Sequence, residues 1–138
     1  MDTNSIIEAS KRVFANLGTG HSESTYHKAL SQELNAIGIH HCCERNLTIT
    51  YEDSRGNVTH LNTERIDVFV FGDPNPMVLE LKAIPGELGN KEIAQITKYA
   101  VQLRKEKIII KNSLIINFPQ ANTKGIPNAI TYINYEHK

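Results

Sequence analysis

The chain has 138 residues, 15 basic and 15 acidic side chains, and a formal net charge of zero; this suits a single domain over residues 1–138 with a core of its own. With 40% hydrophobic and 22% charged residues the composition is that of a soluble globular protein. No apolar run approaches the ~20 residues of a membrane span, and MDTNSIIEASKR is no secretory signal, so the expectation is an intracellular protein, cytoplasmic or nuclear being open, with no membrane partner.

Residues 5–17 read as a helix, with Ser5 and Glu8 spaced as a capping box and Ile6, Ile7, Val13, Phe14 and Leu17 on the helical period. Gly18 and Gly20 break it. A second helix runs from about residue 22 to 37, with Tyr26, Leu30, Leu34 and Ile37 as its stripe and Gly38 as its stop. Residues 39–52 alternate as a first strand, Asp53–Asn57 is turn chemistry, and residues 58–71 form a second strand. Two prolines in Gly72–Pro76 enforce another turn before a third strand at 77–83. A third helix at 90–105 presents Ile93, Ile96, Ala100 and Leu103 to the core, a fourth strand covers 107–118, and 130–135 adds a short fifth. The order α-α-β-β-β-α-β implies an α/β fold. Its mixed central sheet of four to five strands is flanked by helices, the first three strands meander, and a parallel pair spans the third helix.

Two of the strand-like runs, RIDVFVF and MVLELKA, carry charges in their middles: Asp67, Glu80 and Lys82. An unpartnered buried charge costs several kcal/mol, on the order of the penalty in real proteins, so these need a reason. Glu80 and Lys82 share one strand face and Leu81 takes the other. If the two runs pair, Asp67 joins them. Clustered carboxylates repel, and one lysine cannot balance them, so the pattern points to a hard cation and an activated water.

Asp67, twelve intervening residues, then Glu80-Leu81-Lys82 resembles the signature of the PD-(D/E)XK nuclease superfamily. Gly20-His-Ser-Glu23-Ser-Thr-Tyr26 resembles the GxxExxY motif of a small family within it, and Gln95-Ile-Thr-Lys-Tyr99 the QxxxY motif of RecB-like nucleases. The resemblance covers about residues 6–118; Ile66 stands where the proline of the superfamily name would be. It implies a restriction-endonuclease-like core and a metal-dependent deoxyribonuclease with catalytic residues Glu23, Asp67, Glu80, Lys82, Gln95 and Tyr99. It also implies Mg²⁺ or Mn²⁺ held by Glu23, Asp67, Glu80 and the Leu81 carbonyl. DNA is the implied partner, its single-stranded, duplex or branched form undetermined, and assembly as a homo-oligomer is left open.

Other residues have bland readings beside the functional ones. Neutrality weighs mildly against tight nucleic-acid binding, yet Glu106 is the only acid among residues 98–111, a stretch holding Lys98, Arg104, Lys105, Lys107 and Lys111. Arg65, Lys98 and Lys105 are the candidate DNA contacts; the bland alternatives are a solvated helix end and, for Arg65, an ion pair with Glu23 or Asp67. Glu23 alone is explained by the helix dipole. Gln95 and Tyr99 share a helix face and are expected beside the apolar stripe rather than in it. Tyr26 reads as a core anchor. His27, one turn beyond Glu23, permits a Glu/His metal pair, though a surface histidine is commoner. His40-His41-Cys42-Cys43 is read as ordinary strand because neighbours alternate faces. The rival to the nuclease is the same fold used as a catalytically weak module that binds nucleic acid or a protein partner.

Overall fold

A computed structural model of the chain describes residues 3–138. Its elements are α1 (Thr3–Leu17), α2 (Glu23–Ala36), β1 (His41–Glu52), β2 (Val58–Val70), β3 (Met77–Lys82), α3 (Asn90–Lys105), β4 (Asn112–Asn117) and β5 (Thr131–Glu136). The five strands form one mixed sheet in sequence order. β1–β2, β2–β3 and β4–β5 are antiparallel; β3–β4, joined through α3, is parallel. The fold class and element order match the expectation from sequence.

Alternation along the strands sends side chains to two cores, as the period of two requires. Val68, Val70, Leu79, Leu81, Leu114 and Ile116 pack under α1 and α2 with Ile6, Phe14, Tyr26 and Leu30. Phe69, Val78 and Ile115 face α3 with Ile96, Tyr99 and Leu103. The sheet is thus sandwiched between helices. Glu80 and Lys82, offset by one residue from Leu79 and Leu81, are committed to the α3 side.

Two boundaries differ from expectation. Ser5 lies inside α1, which already includes Thr3, so the Ser5/Glu8 spacing is no cap; it is an ordinary i,i+3 pair on a longer helix. Ser22 instead caps α2, its hydroxyl accepting from the Thr25 amide. The run from Lys107 to Lys111 is not strand. α3 ends with Lys107 in the left-handed region at φ 68°, and Ile108 N–H returns to Leu103 O at 2.9 Å. Closing the helix this way uses those residues, and pairing with β3 begins only at Ser113 opposite Val78.

Candidate active site

The candidate site is a fork between β2 and β3. Their ladder runs from Val70↔Met77 to Val68↔Leu79 and stops. At the next position, where a further ladder pair would fall, Asp67 substitutes a side chain: its Oδ2 accepts from Leu81 N–H at 2.8 Å. In a strand the amide and carbonyl of one residue point to the same side. The Leu81 carbonyl therefore also opens into the fork, where β2 supplies no ladder partner.

Glu80 and Lys82 stand on the α3 face of this fork. Glu80 is 3% exposed; its Oε2 lies 3.5 Å from Lys82 Nζ, and its Oε1 is buried with no hydrogen-bond partner. Lys82 Nζ donates to Gln95 Oε1 at 2.9 Å. Gln95 Nε2 donates to Tyr99 OH at 2.9 Å, and Tyr99 OH donates to Arg65 O at 3.3 Å. These bonds form a circuit from β3 through α3 to β2, arriving two residues before Asp67. Tyr99 is 2% exposed and packs within the α3 core, which corrects the expected place beside the stripe. A four-residue spacing fixes that Gln95 and Tyr99 share a face but not how the helix is rotated on the sheet.

Glu23 opens α2, in the other layer, near enough to the fork to feel the charges of Asp67 and Lys82. Its carboxyl is pushed up by partial burial first and by the Asp67 charge second, with Lys82 acting in the opposite direction. Its position is set by polar bonds around the α1–α2 turn. Tyr26, stacked on Phe118, donates to Gly18 O at 2.7 Å, and Gly20 N–H donates to Gln120 Oε1 at 3.0 Å. Tyr26 is thus the core anchor the sequence indicated.

Electrostatically the cluster is short of positive charge. Burial chiefly, then the Asp67 charge, push Glu80 up to about 8, against the pull of Lys82. Tyr99 is raised mainly by burial and next by the Glu80 charge. Among the described residues no three His, Cys, Asp or Glu side chains form a ready metal-ligand cluster: Asp67 turns to a backbone amide and Glu80 to Lys82. The donor set nevertheless fits a hard divalent cation. It offers carboxylate oxygens, the Leu81 carbonyl beyond the end of the β2–β3 ladder and an orphaned buried Oε1, with oxygen the ligand Mg²⁺ prefers.

The remaining candidates scatter. Arg65 pairs with Glu44 at 4.0 Å rather than with Glu23 or Asp67. Lys98 pairs with Glu64. Lys105 donates to Thr50 O at 2.7 Å. Exposed pairs of this kind are worth little, about 0–1 kcal/mol, so a phosphate can displace them. His27 is half-buried and its Nε2 has no partner. His41 bonds Ser31 and Ile39 O, and Cys42 and Cys43 are free thiols. A cavity of about 660 Å³ lies beside β1, lined by Thr48, Thr50 and Gln102 among others and by none of the fork residues.

Sequence reasoning missed three polar residues: Asn117 and Gln120, which brace the segments around the site, and Gln102, which holds β1. Buried Asn117 accepts from Ile84 N–H at 3.0 Å and donates to Ile84 O at 3.1 Å, fixing the chain just after Lys82. Buried Gln102 accepts from Thr50 N–H at 3.0 Å and so covers the β1 edge; its seven-residue spacing from Gln95 was a usable signal. Gln120 sits in a loop, where no periodicity marks it.

A model of the PD-(D/E)XK nuclease superfamily matches residues 1–128. No curated protein matches the chain. Among solved structures, the crystal structure of SSO0001 is similar with a TM-score of 0.56 at 14% identity, covering 83% of this chain and 50% of that one, so this chain spans about half its length. That likeness concerns the fold, and it agrees with a restriction-endonuclease-like core. The family match runs through both arms of the fork and through the helices that brace it: the chain belongs to the PD-(D/E)XK nuclease superfamily.

Proposed function

We propose that this chain is a divalent-metal-dependent deoxyribonuclease of the GxxExxY type with a RecB-like QxxxY helix, hydrolysing phosphodiester bonds in DNA. The observation that carries the reading is the orphaned Glu80 Oε1, buried beside Asp67 at a fork whose lysine is held by Gln95. A carboxylate kept dry and half-partnered is costly to the fold, and a cation is the ligand that would satisfy it.

Glu23, Asp67, Glu80 and the Leu81 carbonyl would hold Mg²⁺ or Mn²⁺. Bound there, such an ion supplies a more acidic water and offsets charge on the scissile phosphate. Lys82 orients the attacking water and faces the phosphate; Gln95 fixes the lysine's direction, and Tyr99 fixes Gln95. Tyr99 acts through Gln95 and is a positioning residue. Arg65, Lys98 and Lys105 contact the DNA backbone by exchanging their intramolecular partners for phosphates. The test is cleavage of labelled DNA and RNA by purified protein with Mg²⁺, with Mn²⁺ and with EDTA. DNA should be cut with metal only. Full-rate cutting by Asp67→Asn or Lys82→Ala would sink the assignment of the site.

A second reading, a nuclease fold that binds nucleic acid or a protein without turnover, is favoured by zero net charge and by the intramolecular engagement of Arg65, Lys98 and Lys105. Calorimetry with Mn²⁺ separates the two: the nuclease site takes up the ion, and a decayed one gives no heat.

A further inference from the structure

The loop between β4 and β5 bridges the two chain segments that lead into the site. On one side Gln120 N–H donates to Ile84 O at 3.2 Å and Asn122 Nδ2 to Pro85 O at 3.0 Å, just past Lys82. On the other, Thr19 Oγ1 donates to Pro119 O at 2.8 Å and Gly20 N–H to Gln120 Oε1 at 3.0 Å, just before Glu23. Its tip is a closed turn. Asn122 and Gly125 exchange both backbone bonds, at 3.1 and 3.0 Å, and Asn122 Oδ1 accepts from Lys124 N–H at 2.8 Å.

This braced tip presents an unusual pair to solvent. Ile126 is 79% exposed, more than any other large hydrophobic residue described. Lys124 is exposed, and its ammonium enters none of the ion pairs among the described residues. From Lys107 to Tyr135 the chain carries three lysines and no acid. A lone exposed apolar side chain is ordinary on a surface. Here it follows a closed turn whose loop is tethered to the segments just after Lys82 and just before Glu23, and Lys124 on that turn enters no ion pair among the described residues.

Resting on the nuclease reading, we infer that the Asn122–Gly125 turn and Ile126 form a substrate wedge, with Lys124 on a DNA phosphate and Ile126 against a base face. Apolar wedges of this size enter base steps at the expense of unstacking them. The wedge therefore selects DNA whose stacking is already interrupted, such as a mismatch, an unpaired strand or a branch, over continuous duplex.

The test uses the full chain with Lys82→Ala to block turnover, and an oligonucleotide duplex with 2-aminopurine at a mismatch. The parent should bind it more tightly than its fully paired counterpart and raise the fluorescence. Ile126→Ala should abolish the rise and weaken binding several-fold without changing the salt dependence. Lys124→Ala should keep the rise but reduce the slope of log K against log salt by about 0.9, one phosphate contact. In the wild-type background both substitutions should raise KM and spare kcat. Variants equal to the parent in fluorescence, salt slope and KM overturn the wedge and leave the nuclease standing. Failure of the wild-type protein to cut any DNA with Mg²⁺ or Mn²⁺ removes the nuclease reading and the wedge with it.

Discussion

The two halves of β2 live in different environments. From Ile66 to Val70 the strand is covered and, from Val68 onward, paired on both sides; from Val58 to Arg65 it is half of a two-stranded ribbon with β1, mostly exposed. Leu61 is 59% exposed and falls where the β1–β2 register shifts between Ile49 and Thr50. Asp67 sits where these regimes meet. A carboxylate one residue further in, at Val68, would be buried within the ladder; two further out, at Arg65, it would be exposed to solvent. The junction supplies both a partial burial that strengthens electrostatics and an opening through which a substrate can approach.

The sharpest way to break this comparison is at the junction itself. Asp67→Asn keeps an acceptor for the Leu81 amide, so the fold should survive with an unchanged melting temperature. Cleavage should fall by about 10²–10³-fold or more, the scale for removing one preorganised electrostatic group. A folded variant with near-normal rates would place the chemistry elsewhere. The next largest effect contrasts the halves. Ile66→Ala, in the fully buried half, should cost about 2–5 kcal/mol, whereas Leu61→Ala on the ribbon should stay within about 0.5 kcal/mol. Urea denaturation of both measures it; equal losses would mean that the ribbon is part of the core.

How much of this was legible in the sequence follows from the same contrast. The inner half was readable because a charge inside an apolar run is conspicuous, and α3 lies at Asn90–Lys105 as its apolar period indicates. The ribbon's solvation was not readable: Leu47, Ile49 and Tyr51 alternate like a core strand, but only Leu47 is buried. Alternation gives a face, not the presence of a layer to cover it. The run Ile108–Ile110 misled for a related reason, since an apolar stretch can be a buried connection when the neighbouring ladder begins later. The junction's bracing by Asn117 and Gln120 depends on contacts 33 and 94 residues apart, which no local pattern encodes.

Metal should act on the covered half, and so should pH between about 4.5 and 8. Glu80 is raised in the fold from 4.5 to about 8, so the native state prefers it protonated. Glu80's contribution to the stability of the metal-free protein is therefore full below about pH 4.5 and declines as pH rises towards about 8. A divalent cation competes with that proton, so its stabilisation should grow across the same window, reaching about 2.7 kcal/mol at a hundredfold excess over Kd. Thermal melts at pH 5 and pH 8 with and without Mn²⁺ measure it. Glu80→Gln should remove this share of the pH slope and most of the metal shift; a metal shift of the same size in that variant would exclude Glu80 as a ligand.

The smallest effect joins the two halves. Tyr99 donates to the carbonyl of Arg65, the last residue of the ribbon, and accepts from Gln95, which holds Lys82. Tyr99→Phe keeps the ring in the α3 core and removes only these two bonds, at about 0.5–1.5 kcal/mol of stability. If the circuit serves only the fold, kcat will not change at a temperature where the variant is fully folded. If it aims the lysine, kcat should fall by about fivefold, equivalent to about 1 kcal/mol of lost positioning, with KM unchanged because no substrate contact is touched. Gln95→Ala should then reproduce the kcat loss, and adding Tyr99→Phe to it should lower kcat no further, since both act through one ammonium group.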